Sequence, residues 1–384
     1  VTGRIPIAWL QLSAEKLRLL AAVAGIAFAA MLMLMQLGFR DALLASATLV
    51  HERLAGEIVM ISPLYEYLIS TRSFPEHRLE RALGVEGVRS VAPILVSVAA
   101  WKNPVTGREH KINLIGVRVG TDAFELTEVV DQLHEAQIPD AVLADASARP
   151  EFGPVAEWFG SRGVVRTEIN GHRIKVKGLF HLGTGFGVNG TIIASDMTFR
   201  RLIPSRRARM IDIGIVRLAP GVAVEPVRRA IVAALPPDVQ VLTRDEFIDF
   251  EQTYWLRNSP VGFIFNLGTF MGFIVGAVIV YQILYSDVSD HLPEYATLKA
   301  MGYGDMRLFG IVVRQALILA VLGYVPGYLI AQGLYVVTQR ATFLPIAMTP
   351  ARVAFVFAMT VAMCAGSAVL AMRKLRAADP AEIF

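Results

Sequence analysis

The chain has 384 residues, 54% hydrophobic and 18% charged, with a mean hydropathy of +0.50. Soluble chains carry about 25% charge, so a wholly soluble protein is excluded as the expectation. The formal charge is +4, yet residues 40–257 hold 26 Lys and Arg against 26 Asp and Glu. The excess therefore flanks the apolar runs, which disfavours a nucleic-acid partner.

In chain order, Pro6–Lys16 reads as a short interfacial helix with Trp9 and Leu12 amid polar residues, or as an extension of the first span. Leu19–Phe39 follows with 21 residues and no charge. That is enough for a helix to cross a hydrocarbon core of about 30 Å. It is too long for a signal-peptide core and lacks a small-residue cleavage site, so it reads as a retained anchor. Three more uncharged runs come late and close together: Asn258–Ser286, Gln315–Gln339 and Val353–Met372.

The fold expected is a membrane protein with four transmembrane α-helices in a one-plus-three arrangement and a large α+β domain between spans one and two. The boundaries are 1–18 (interfacial helix), 19–39 (first span), 40–257 (large domain), 258–286 (second span), 287–307 (connector), 308–339 (third span), 340–352 (short loop), 353–372 (fourth span) and 373–384 (tail). Lys16 and Arg18, with Arg373, Lys374 and Arg376, put both termini in the cytoplasm and the large domain outside it. Arg40, Arg257, Arg340 and Arg352 at the other span ends make that bias modest.

Within the large domain, residues 56–62, 88–101, 110–117, 141–145, 163–169, 172–180, 191–195 and 212–218 alternate or run apolar as strands do. Pro75–Leu83, Pro226–Leu235 and Arg244–Leu256 read as helices, two of them starting at Pro and all near the domain's ends. The last should run towards span two, with a kink at Asn258-Ser259-Pro260. The only cysteine, Cys364, lies in span four, so no intrachain disulfide forms and the 218-residue domain relies on its own core.

Catalytic signatures are scarce. Gly185-Phe-Gly187-Val-Asn-Gly190 matches G-x-G-x-x-G, but a strand-like segment follows where a nucleotide site needs a helix N-terminus, so it reads as a turn. No phosphate-binding G-x-x-x-x-G-K-[ST] occurs, and the seven histidines show no metal-ligand spacing. No metal site, cofactor site or catalytic residue is expected, and the many carboxylates are expected at the surface.

Span two carries Gly268, Gly272 and Gly276 on one helix face, a small-residue stripe that lets another backbone approach closely. Span three has Pro326 between Gly323 and Gly327, which predicts a kink. Arg314 enters an apolar region near its end and is expected to snorkel towards the headgroups. In the connector, Pro293 suits a first helical position and Gly302 a terminating one. Tyr295, Leu298 and Met301 form one apolar ridge, flanked by Glu294 and Lys299. A helix of that kind can take force from a soluble partner or merely close a loop.

LPEYATLKAMGY (292–303) resembles the connector of the MacB/FtsX/LolC-type ABC permeases, most closely the DevC-like branch. Residues 6–29, 35–43, 180–193 and 319–327, and the ending DPAEIF (379–384), resemble the same family, so the likeness runs through most of the chain. Arg314-Gln315 departs from the Gln-Glu usual there. The resemblance implies a non-catalytic membrane subunit in the bacterial inner membrane, working as a homodimer with two copies of a separate ABC ATPase that binds the ATP and Mg. It implies that Pro293, Glu294, Tyr295, Leu298, Lys299, Met301 and Gly302 dock into that ATPase. It also implies a periplasmic large domain that meets a membrane-fusion adaptor and a TolC-like outer-membrane channel, with lipid-like or other hydrophobic cargo. Two alternatives stay open: an FtsX-like signal transmitter that activates a periplasmic partner, and an anchored sensor with no ATPase.

Overall fold

The computed structural model describes residues 15–185, 187, 189–294, 297, 301–302 and 304–377. The expected interfacial helix at Pro6–Lys16 and the terminal DPAEIF therefore fall almost wholly outside the described residues. Two compact units result: residues 1–42, 261–342 and 346–384 in one, residues 43–260 and 343–345 in the other.

The second unit is built on a mixed sheet of nine strands. In chain order the strands are β1 (Ile58–Ile61), β2 (Phe74–Pro75), β3 (Val88–Lys102), β4 (Glu109–Val117), β5 (Ala141–Asp145), β6 (Val165–Ile169), β7 (His172–Phe180), β8 (Thr191–Ser195), β9 (Met210–Ile211), β10 (Ile213–Leu218) and β11 (Gln240–Thr243). The sheet order is β11-β1-β10-β3-β4-β8-β5-β7-β6, with β2 and β9 paired separately. Only β4–β8 and β5–β7 are parallel. The edge strand β6 returns to pair with the end of β3, Trp101 opposite Ile169, so six strands close on themselves. Closure removes an edge that would otherwise present unpaired amides.

Alternation explains why both faces bury side chains. Along β4, Ile112 and Leu114 join one apolar cluster with Trp101, Phe152 and Phe199, while Ile115 and Val117 join the other with Phe180 and Phe247. Strands buried on both sides read as nearly continuous apolar runs, which is why their segments are conspicuous in the sequence.

The first unit holds α1 (Lys16–Ala47, whose last turn enters the second unit), and the second holds α2 (His77–Leu83), α3 (Thr127–Gln132), α4 (Val155–Arg162), α5 (Asp196–Leu202), α6 (Val224–Ala234) and α7 (Arg244–Thr253). Helices α3, α4 and α5 lie mid-domain, which corrects the expectation of helices mainly near the ends. At six to eight residues each they are too short to show a repeating 3.6 period. Neither early helix starts at proline: Pro75 sits in β2, and Pro226 is the third residue of α6. Proline is tolerated there because the first turn's amides have no intrahelical partner. α7 opens with a capping box, Thr243 accepting from the Glu246 amide and Glu246 from the Thr243 amide.

After α7 the chain passes through a π-turn, Tyr254–Asn258, and Ser259 is extended before the next helix begins at Pro260. The break expected around Asn258-Ser-Pro is thus present. α8 (Pro260–Asp290), α9 (Asp305–Thr342) and α10 (Pro350–Ala377) follow. With α1 they are four helices long and apolar enough to cross a membrane. The 32 residues of α1 measure about 48 Å at about 1.5 Å per residue. α9 continues through Pro326 as one helix.

Surface placement fails for some carboxylates. Asp212 is fully buried and accepts from Ser73 Oγ (2.8 Å), the Val96 amide (2.7 Å) and Arg206 Nη2 (2.8 Å). Burial pushes its carboxyl up, against the pull of Arg206. Asp145 and Glu251 are buried as well. A buried carboxylate needs such donors, and partners distant in sequence leave no local trace.

Candidate functional site

The spans assemble around α1. A Cβ placed on Gly268 would lie 2.6 Å from Gln36, one on Gly272 3.2 Å from Met33, and one on Gly276 2.7 Å from Ala29. All three stripe residues therefore face α1 of the same chain. At Gly276 a Cβ would press on Ala29, whereas at Gly268 it would meet only the movable end of Gln36. The sequence reading did not single out the other side of the seam. A Cβ on Gly323 would lie 2.5 Å from Ile26, and one on Gly327 2.6 Å from the Ala27 carbonyl oxygen. Gly323 and Gly327 are four apart on one face, so the signal was present but was taken for a kink around Pro326. α1 is gripped by small-residue faces of α8 and α9, the packing that lipid-embedded helices rely on. α10 joins through Ser367 Oγ, which donates to the Ala277 carbonyl at 2.8 Å, and through Tyr324, whose hydroxyl donates to the Val353 carbonyl at 2.7 Å.

Polar clusters bind each end of this bundle. At one end Arg352, 7% exposed, donates to Asp41 Oδ2 from Nη2 (2.6 Å) and Nε (3.2 Å), and from Nη1 to the Ala347 carbonyl (2.6 Å) and the Tyr335 hydroxyl (3.2 Å). Tyr335 in turn donates to the Leu34 carbonyl of α1. Arg352 is thus engaged inside the bundle, and Arg40 also contacts Asp41. At the connector end Arg18 pairs with Asp290 at 2.7 Å and with Glu15 at 2.8 Å. Asp287 accepts from Nε2 of the fully buried Gln315 at 3.2 Å. These bonds tie the last turn of α8 to the starts of both α1 and α9. Arg314, beside Gln315, is exposed on α9.

The connector leaves α8 at this anchored end. Residues 292–294, including Pro293 and Glu294, and residue 297 are helical. Thr297 Oγ1 donates to the Pro293 carbonyl, and the Met301 amide to the Thr297 carbonyl at 3.0 Å. Met301 is 64% exposed, and Gly302 has φ +92°, a left-handed conformation that ends a helix. Tyr295, Leu298 and Lys299 lie outside the described residues. Gly302 thus stops a helical turn shortly before α9, beside the exposed apolar side chain of Met301.

α8 is the least enclosed span: 22% of its central window is buried, against 39% for α1 and 44% for α9. Phe263, Leu267, Phe270 and Ile274 are exposed along it. Between α8 and α10 runs an open apolar groove of about 800 Å3 lined by Phe273, Ala277, Tyr281, Met363 and Gly366. Among the described residues no three His, Cys, Asp or Glu side chains converge as a metal site requires.

Residues 266–380, which contain the connector and most of α8 to α10, match the family described as FtsX-like permease C-terminal. That match covers just under a third of the chain and marks this C-terminal segment as similar to FtsX-like permeases. No curated protein matches the chain. Three solved structures resemble about half of it. The periplasmic region of MacB from Actinobacillus actinomycetemcomitans is 12% identical, with 51% of this chain and 92% of that one aligned at a TM-score of 0.37. The extracellular domain of the noncanonic ABC-type transporter YknZ from Gram-positive bacteria is 15% identical, covering 48% and 99% at 0.33. A domain of a permease protein from Porphyromonas gingivalis is 14% identical, covering 50% and 89% at 0.32.

Proposed function

We propose that this permease is the non-catalytic membrane subunit of a bacterial inner-membrane exporter, driven by a separate ABC ATPase that holds the ATP and Mg. The match over residues 266–380 carries the reading, because it includes the connector on which an ATPase would act. Force arrives at the 292–302 helix and passes through Asp287 and Asp290 into α1 and α9. Two copies of the chain would flank one ATPase pair, each using Pro293, Glu294, Tyr295, Leu298, Lys299, Met301 and Gly302 as the docking surface. The large domain would work in the periplasm with a membrane-fusion adaptor and a TolC-like outer-membrane channel, expelling lipid-like cargo as in DevC-like exporters. The uncharged spans support this, since they offer no polar track for a hydrophilic substrate.

Purification of the native complex in mild detergent, with identification of its subunits, tests the proposal. An ATPase together with an adaptor is expected; a complex without a nucleotide-hydrolysing subunit refutes it. A second reading, which the resemblance to FtsX-type permeases implies, is signalling to a periplasmic partner. Cargo accumulation in a deletion strain separates export from that reading, which predicts loss of a partner's enzymatic activity instead.

A further inference from the structure

A cavity of about 250 Å3 lies in the large domain, beside the apolar cluster that contains Trp101 and Phe152. Its floor is made of buried carbon from four strands: Trp101 of β3, Ile112 of β4, Ala144 of β5 and Ile192 of β8. Phe152 and Val155 form one wall and the 146–149 turn contributes the other. The exposed Ala156 and Glu157, with the half-buried Arg149, mark the mouth.

Hydrogen bonds brace both walls. Trp101 Nε1 donates to the Phe152 carbonyl (3.0 Å), Asn103 Nδ2 to the Glu151 carbonyl (2.7 Å) and Asn189 Nδ2 to Glu151 Oε1 (2.6 Å). Across the cavity, Asp145 Oδ1 accepts from the Ser147 amide (2.9 Å), and the Arg149 amide donates to the Asn189 carbonyl (3.0 Å). The two walls are thus held through Asn189 as one frame.

We propose that this cavity binds the end of an acyl chain, with the anionic head of the ligand at Arg149. Binding here needs neither nucleotide nor a partner subunit, so the site stands or falls apart from the ATPase reading.

Size and lining select the ligand. Folded interiors keep few voids larger than a water, and a braced apolar hollow with a polar mouth is the form a ligand site takes. Pockets for drug-sized ligands measure about 300–1,000 Å3. This one is smaller, which suits the end of one chain better than a whole lipid. A ring with polar atoms would fare badly on the floor. The Trp101 donor is already committed, and Asp145 is occupied by the amides of Ser147, Leu182 and Gly183. Polar atoms arriving there would lose their bonds to water without replacement. A hydrocarbon chain loses none.

The mouth chooses the head. Arg149 carries a permanent positive charge and is half-buried, so solvent screens it less than the exposed carboxylate of Glu157. An anionic head is therefore preferred over a cationic one.

The test uses the full-length chain in lipid nanodiscs and octanoate with a diazirine at its tail. After irradiation, the labelled residues are located by mass spectrometry. Label is expected on Trp101, Phe152 or Val155, suppressed by excess octanoate and spared by octyltrimethylammonium. Ala156→Phe, at an exposed position where a ring can close the mouth, should lower that labelling about tenfold. Arg149→Gln should raise the concentration of probe needed for half-maximal labelling about tenfold, and Arg149→Lys should restore it. The matching octanol probe, which has no charge, should label Arg149→Gln and the native chain alike. Label confined to the groove between α8 and α10 overturns the proposal. So does equal suppression by the cation, or labelling that Ala156→Phe leaves unchanged.

Discussion

Arg352 shows how a residue's surroundings change its meaning. By position alone it is a cation at a span end and counts against the orientation set by Lys16 and Arg18. In the fold its guanidinium joins Asp41 on α1, Tyr335 on α9 and the carbonyl of Ala347. Arg352→Met should destabilise the bundle by roughly 1–3 kcal/mol. The figure stays below that for a wholly buried pair because the Asp41 side chain is 37% exposed. Thermal unfolding in detergent measures it, and an unchanged midpoint would contradict the assignment. Leu298 carries the other prediction at this scale. Leu298→Asp would place a carboxylate against an apolar ATPase surface, at a cost of several kcal/mol. Vanadate-sensitive ATPase stimulation should fall more than tenfold with the fold intact; full stimulation and normal complex recovery would remove the docking role.

Among the elements, α1 matters most, because α8 packs on its Met33 and Ala29 and α9 on its Ile26 and the Ala27 carbonyl. The stripe Gly268, Gly272, Gly276 could have served contact between two copies of the chain, but its neighbours are Gln36, Met33 and Ala29 of α1. Substitution there should therefore harm the single chain before any dimer. Gly276→Leu would drive a branched side chain into Ala29 and Met363, and overpacking of that kind costs about 1–3 kcal/mol. Lower thermal stability at unchanged oligomeric state, measured by scanning fluorimetry and native mass spectrometry, is the expected outcome. Loss of dimer with normal stability would mean the stripe faces a second copy after all.

At the scale of the whole molecule, four long apolar helices flank the large domain in sequence, one before it and three after it. Asp287, Asp290, Arg18 and Gln315 gather at the end of α8, so the point where the connector leaves is tied to both α1 and α9. α1 then runs without a break to Ala47, four residues before His51.

Much of this was legible in order along the chain. Uncharged runs located the four spans because crossing a membrane imposes a composition, and long strands announce themselves, the doubly buried β3 and β4 by nearly continuous apolar runs and the one-sided β7 by alternation. Short elements stayed hidden: α3, α4 and α5 have six to eight residues, and β2, β9 and β11 two to four. The connector was readable because proline and glycine mark its limits by local backbone chemistry. What tertiary structure alone decided were the pairings: which helix the Gly268 stripe grips, that Arg352 meets Asp41 across 311 residues, and that Glu251 meets His51. Composition and periodicity act over a few neighbouring residues, whereas the partner of a buried polar group is chosen by how distant segments pack.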